Sequence, residues 1–480
     1  MQLRLRVWLG AGLLLLLLGG LLYTMRPRAE RTADSLPSPF ATSAAMAPPG
    51  ARAILPTVLP SRVPTAPPFA KAVATAQSRS AAPRVAALPL RSRFLARPDD
   101  EVTMVTPGVA HIQRVTDDPL RINILLFDLT APEFALRPAL GDGWLAGRYR
   151  TSYMAQQNGA IAAVNGDLFS SEGTPQGLMI VNSQVVTAPK YRATFAWSPE
   201  LGPFIGYFTR EWTWVAEVIA PGRKRAPLHL LNTFCPMGSI CLFNHYIRYL
   251  NASNNDARVV LDATGEVQSI VQGKALKIPR GVQVLQGKGQ GAKWLLQHLE
   301  VGDTVDIDIT TDPLLSTYTQ AISGGPIILQ DGEFVQDCLC ALRDCSEAKE
   351  KGLFCEDFTT DWKQRHYLWV RMPRTGIGFD KERQTLVVAV VDGYQRGYSR
   401  GITQEEFADL LREFGAYTAM ELDGGGSSTM VLQDEVVNQP SDETGERYVA
   451  NALLFFWNSR QTEEMIRPSR PLPVEPQRVE

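Results

Sequence analysis

The sequence predicts an α+β fold: a mixed β-sheet domain with at least one strand-helix-strand crossover, preceded by an N-terminal membrane segment and a disordered linker. Three observations lead there. A continuous apolar run, Thr385–Val391, is followed by a helical pattern and a second apolar run at 417–422. Short alternating segments between Gly and Pro turns fill 204–312 and read as largely antiparallel strands. Ahead of both, an apolar stretch at 7–23 leads into a segment rich in Pro, Ala and Ser.

In chain order, Arg4 and Arg6 precede the apolar stretch, and Arg26, Arg28 and Arg31 follow it. That pattern makes 1–25 a signal anchor or a signal peptide, and the lack of a small-x-small cleavage site favours the anchor. Residues 26–98 form a linker, because so proline-rich a segment cannot bury enough apolar surface to offset its ordering entropy. A folded domain spans 99–458 and a disordered tail 459–480. The expected location is membrane-anchored with the folded domain in the periplasm or outside the cell, or secreted if the N-terminal segment is cleaved. With 48 Lys plus Arg against 50 Asp plus Glu, the net charge of −2 gives no electrostatic case for nucleic acid. The N-terminal segment makes the membrane a partner.

Cys235, Cys241, Cys338, Cys340, Cys345 and Cys355 are disulfide candidates, an even number in an exported chain. The last four crowd into one polar insertion, and the sequence leaves the pairing open. A zinc knot is the rival reading, but the spacing lacks the paired C-x-x-C knuckle, so no metal ligand is assigned.

Within the domain, strands are expected at 122–129 and 160–164, with a short helix near 152–157 between them. The second strand ends on Asn165-Gly166, a turn that presents a polar amide. A hairpin at 175–186 and a strand at 193–197 follow. Gly324-Gly325 set a glycine pair against another strand. Arg374 opens a further strand, either as an ion pair or as an anion clamp. Thr385–Val391 ends on Asp392-Gly393. Thr403 and Glu406 form a capping-box pattern, Phe407, Leu410, Leu411 and Phe414 fall at helical spacing, and Gly415 stops the helix. The crossover makes its two strands parallel, so Asp392 and Asp423 open towards one crevice.

The chain is organised around Glu421-Leu422-Asp423-Gly424-Gly425-Gly426-Ser427-Ser428-Thr429. If strand geometry persists, Glu421 and Asp423 share a face. The glycines leave a bare turn whose amides suit an anion, and the three hydroxyls add donors. Read blandly, it is a hairpin turn in which Asp423 bonds its own amides.

Taken in order, Asn165-Gly166-Asp167-Leu168-Phe169, Pro175-Gln176-Gly177-Leu178, Gly324-Gly325-Pro326, Arg374-Thr375-Gly376-Ile377-Gly378, Val391-Asp392-Gly393, Leu422 to Thr429, Arg447 and Asn451-Ala452 resemble the phosphodiester glycosidase family. The resemblance spans about 102–457 and implies hydrolysis of a sugar joined through its anomeric carbon to a phosphodiester. It implies Asp423, Asp392 and Asn165 as catalytic candidates, and Glu421, on the strand face of Asp423, is a further candidate nucleophile or base. Arg374, Arg447, Gly324, Gly325, the Gly424-Gly425-Gly426 turn, Ser427, Ser428 and Thr429 are implied as substrate- and phosphate-binding candidates. A glycosyl-phosphodiester or glycan is the implied substrate. Two departures stand out: Asp167 and Leu168 replace a Gly and a Phe common in the family's first motif, and Tyr394 stands where the family often has Arg, with Arg396 nearby. Asp392 and Asp423 could share a divalent cation, but no loop offers an oxygen cage, so no cofactor is assigned. The alternative function is a non-catalytic glycan-binding or secretion-scaffold module on the same fold. Hydrolysis of a non-sugar phosphodiester is a third.

Overall fold

The computed structural model describes residues 90, 94, 96–209, 214–335 and 370–457. These residues all belong to one compact unit, Pro83–Glu480. The expected membrane segment, nearly all of the linker, the tail, and Cys338, Cys340, Cys345 and Cys355 lie outside the described residues. Among the described residues, no helix is long and apolar enough to cross a membrane.

An eight-stranded sheet runs in the order Glu101–Thr106, Val109–Val115, Arg121–Asp128, Thr385–Val391, Arg374–Phe379, Thr418–Glu421, Ile327–Gln330, Glu333–Phe334. Its central strands are apolar on both faces because both faces are covered. Leu386, Val388 and Val390 face one core with Leu125 and Phe127, while Val387, Ala389 and Val391 face another with Ile124 and Leu126. The second core is closed by the helix Gln404–Glu413, whose Phe407, Leu410 and Leu411 are buried there. Its capping box is formed as expected: Glu406 N–H donates to Thr403 Oγ1 at 3.3 Å, and Thr403 N–H donates to Glu406 Oε2 at 3.0 Å.

The first core is shared with a five-stranded sheet ordered Glu435–Val436, Met430–Leu432, Ala162–Asn165, Asn451–Trp457, Phe134–Leu140. The helix Thr151–Asn158 covers the far face of that sheet through Met154 and Ala155. The layers therefore run helix, sheet, sheet, helix. Another five-stranded sheet, containing Met179–Val181, Thr194–Ser198 and Gln320–Ser323, joins the shared core through Phe195 and Ile322. A lobe between Val215 and Thr310 has its own core, with the strands Val215–Ala220, Ile240–Asn244, Asp256–Leu261 and Gln283–Lys288 packed on the helix Gln290–His298. Cys235 and Cys241 form a disulfide in this lobe.

One expectation is corrected. The eight-stranded sheet is not mixed: every neighbouring pair in it is antiparallel. The crossover still holds, because Arg374–Phe379 is inserted between its two strands and runs antiparallel to each. Thr385–Val391 and Thr418–Glu421 are thus parallel at one remove. Gly376 and Gly378 make that insertion possible, since a Cβ on Gly376 would fall 2.6 Å from the Phe407 ring and one on Gly378 2.7 Å from Ala419 Cβ.

Phe407 therefore fills the space above a strand with no side chain of its own at that point. Phe407→Ala is expected to lower the unfolding free energy by about 3–5 kcal/mol in denaturant titration. A loss under about 1 kcal/mol would mean that the helix does not depend on this contact.

Candidate active site

Where the two large sheets are joined, the chain changes allegiance in one residue. Leu422 N–H still bonds Thr375 O in the eight-stranded sheet at 2.8 Å, whereas Asp423 N–H bonds Gly166 O, beside the five-stranded sheet, at 2.9 Å. The glycine turn carries the chain across, and it resumes as Met430–Leu432, paired with Ala162–Asn165. Gly425 has φ of 60°, a conformation that glycine adopts at no steric cost.

Asn165, fully buried, fastens this crossover. Its Nδ2 donates to Asp423 O at 2.6 Å, and its Oδ1 accepts from Thr375 Oγ1 at 2.8 Å and Thr429 N–H at 3.1 Å. Both ends of the amide are therefore engaged with protein in this structure.

Strand geometry does not persist to Asp423, so the two acids of the motif part. Glu421 faces the helix and is buried against Arg374, with Nη1 to Oε1 at 2.7 Å. Arg374 also donates from Nε to Ile402 O at 2.8 Å and from Nη2 to Val370 O at 3.1 Å. Of the two readings of Arg374, the ion pair is the one formed. Burial raises the Glu421 carboxyl while Arg374 pulls it back.

Asp423 is half-buried at the sheet edge. Burial, with the charge of Asp167 adding to it, pushes its carboxyl up to about 6 against the opposing pull of Ser427, Arg447 and the Gly424 N–H. Asp167 is buried, and accepts Gly177 N–H at 2.7 Å and Arg192 Nη2 at 3.1 Å. The fully buried Arg192 also donates to Gly324 O at 2.8 Å. Asn451 Oδ1 accepts the Asp167 N–H at 2.9 Å. The paired acid of this site is therefore Asp167, which sequence reasoning noted only as a departure from the family motif.

Asp392 sits at the same sheet edge, buried, with Oδ1 accepting Asn438 Nδ2 at 2.8 Å and Oδ2 accepting Gln439 N–H at 3.0 Å. Asn438 in turn accepts Met430 N–H at 2.8 Å and donates to Ser428 O at 3.1 Å, so Asp392 braces the loop from behind. Burial raises its carboxyl. Tyr398 Oη also donates to its Oδ2, at 3.3 Å. Among the described residues no group of three or more metal-ligating side chains converges.

Most amides in the turn are spent within the fold: Gly425 on Pro373 O, Ser427 on Gly424 O, Ser428 on Gly425 O and Thr429 on Asn165. Gly324 and Gly325 likewise donate to Ala193 O and Glu421 O. The hydroxyls differ, since Ser428 Oγ and Thr429 Oγ1 are buried without a partner. Arg447 lies over the turn, doubly bonded to Asp442 at 2.7 and 2.8 Å and reaching Ser427 Oγ at 3.4 Å. Gly426 makes room for it, as a Cβ there would fall 2.2 Å from Arg447 Nη2. Arg447, Asp442, Arg148, Glu172 and Tyr448 line an open cleft of 820 Å³.

Fold and site together define an antiparallel α/β/β/α sandwich with a carboxylate pair at its sheet-to-sheet crossover and an arginine-lined cleft beside it. Residues 255–456 match the family model described as phosphodiester glycosidase. Two relatives agree, each an N-acetylglucosamine-1-phosphodiester alpha-N-acetylglucosaminidase. The Mus musculus protein is 31% identical over 131 residues (27% of this chain, 22% of that protein), and the Bos taurus protein is 32% identical over 126 residues (26% and 21%). The chain thus spans about a fifth of the length of these relatives. A hypothetical protein from Synechocystis shares the fold, with a TM-score of 0.58 at 18% identity over 75% of this chain and 64% of that one. A Burkholderia pseudomallei structure does so with a TM-score of 0.54 at 21% identity over 70% and 74%. The resemblance to the phosphodiester glycosidase family is shown. Arg374, Asp392, Asp423 and Arg447 lie in the matched residues, whereas Asn165 and Asp167 lie outside them.

The buried Arg374–Glu421 pair yields a stability prediction. Glu421→Leu or Arg374→Met alone strands a buried charge and should cost about 3–5 kcal/mol. The double variant should recover most of that loss in a denaturant double-mutant cycle. Additive losses would show that the two side chains act separately.

Proposed function

We propose that this chain is a hydrolase of a sugar-1-phosphodiester bond, exported and tethered to a membrane, acting on a glycan or an envelope or exopolysaccharide substrate. The observation that carries the reading is the Asp423 carboxyl, held up to about 6 at the glycine turn, next to Asp167 and within the field of an arginine that lines a cleft. The family match over residues 255–456 and the names of the two relatives support the same chemistry. The apolar run at 7–23 supports the tether. The Cys235–Cys241 disulfide supports an oxidising compartment.

In this reading the phosphodiester lies in the cleft with Arg447 and Arg148 against its charge. The bond from the anomeric carbon to the phosphate oxygen breaks, its electron pair leaves on the phosphomonoester, and positive charge develops at the anomeric carbon. The weakly basic phosphate needs no strong acid. Asp423, ionised above pH 6, either attacks the anomeric carbon or takes a proton from the attacking water. Asp167, whose carboxyl burial raises and Arg192 pulls back, adds negative charge beside the cationic centre when ionised.

Two expectations follow. Asp423→Asn should abolish release of free sugar from a panel of sugar-1-phosphodiesters, including N-acetylglucosamine-1-phosphate esters, while its melting stays cooperative. Full turnover by that variant would remove Asp423 from the mechanism, and tight binding without turnover by the wild type would instead favour the glycan-binding module. The working form is the carboxylate, so kcat/KM should fall about tenfold per pH unit below pH 6. A flat profile down to pH 4.5 would contradict the assignment.

A further inference from the structure

Away from the cleft, the edge strand Phe134–Leu140 of the five-stranded sheet borders a cavity of 360 Å³ that shares no lining residue with the cleft. Arg137, Arg280, His245 and Tyr246 are among its walls, and no carboxylate is. Arg137 Nη2 donates to Asn158 Oδ1 at 2.6 Å and its guanidinium lies over the Phe456 ring, yet its buried Nε has no partner. His245 is 8% exposed and packs tilted against Tyr246, and its Nδ1 is likewise buried without a partner among the described residues. Arg280 is exposed on the cavity wall.

Acids in neighbouring positions do not neutralise this group. Asp142 accepts the hydroxyls of Tyr149 and Tyr153, and Asp262 is bonded by Thr264, Glu266 and Gln268 around its own turn. The fold gathers two guanidinium groups on a void walled, among the described residues, by no carboxylate, beside a buried imidazole, and the positive field this leaves in the void favours an anion.

We infer that this cavity is an oxyanion site, taking a phosphate or a carboxylate between Arg137 and Arg280, beside the buried His245 ring. The guanidinium forks suit either group. Proton affinities point the same way. Burial and then the Arg280 charge hold His245 down to about 4, and burial with the same charge lowers Arg137. A bound anion would oppose the Arg280 charge acting on both groups. The site does not rest on the hydrolase reading, since it shares no residue with the glycine turn.

The test uses the full chain, with His245 followed by NMR among the five histidines and assigned by its loss in His245→Gln. Titrations are run with inorganic phosphate, with glucuronate, with glucose, and with sodium chloride at matched ionic strength. Binding at the cavity should move the His245 midpoint upward by one pH unit or more. Arg280→Glu, an exposed change, should cut that shift at least fivefold, and Arg447→Ala in the other cleft should leave it intact. A shift with phosphate alone assigns a phosphate site, one with glucuronate alone a carboxylate site, and one with both a general oxyanion site. No shift with either would overturn the inference. So would an equal shift with chloride or glucose, or one that survives Arg280→Glu.

Discussion

The buried side-chain amide of Asn165 is the constraint on which the site depends. It accepts from the Thr375 hydroxyl of one sheet and from Thr429 N–H at the end of the glycine turn, and it donates to Asp423 O at the start of that turn. Two sheets and a turn are held by one planar group whose donors and acceptors are set by covalent geometry. An aspartate there would supply acceptors but lose the donor to Asp423 O, and a leucine would leave three buried groups unpaired. The position of the Asp423 carboxyl is a consequence of this tie.

Around that tie the charges are sorted by function. The acid two residues earlier, Glu421, is turned towards the helix Gln404–Glu413 and paired with the buried Arg374. Asp392 is spent on bracing the loop through Asn438. Asp423 alone among these acids is only partly buried, and burial, with the charge of Asp167 adding to it, pushes its carboxyl up to about 6. The same local dielectric that makes an unpaired buried group costly makes a pair of acids at a sheet edge sensitive to protonation.

Much of the framework was legible. Thr385–Val391 reads as a strand because it is short, β-branched and closed by Asp-Gly, and its unbroken apolarity follows from burial on both faces. The capping box announced its helix, and the parallel sense of the crossover put Asp392 and Asp423 at one sheet edge. The antiparallel insertion of Arg374–Phe379 was not legible, because glycines placed beneath Phe407 and beside Ala419 look the same in sequence as glycines in a loop. Whether Arg374 clamps an anion or pairs with Glu421 depends on a register of 47 residues' separation, which local pattern does not encode. Asp167 was hidden for a related reason: its partners Arg192 and Asn451 are 25 and 284 residues away. The helix Gln290–His298 also went unread, lying among the strands of a lobe whose turns dominated the pattern.

Fold and family leave one chemical question that structure frames sharply: which bond breaks. In the proposed reading, positive charge develops at an anomeric carbon and arginines face the leaving phosphate, so cleavage falls between carbon and oxygen. A phosphodiesterase cleaves between oxygen and phosphorus. Hydrolysis of N-acetylglucosamine-1-phosphodiesters in ¹⁸O-labelled water separates these by mass spectrometry of the products. The account predicts label on the anomeric hydroxyl of the released sugar and none on the phosphomonoester, whereas label on the phosphate would contradict it.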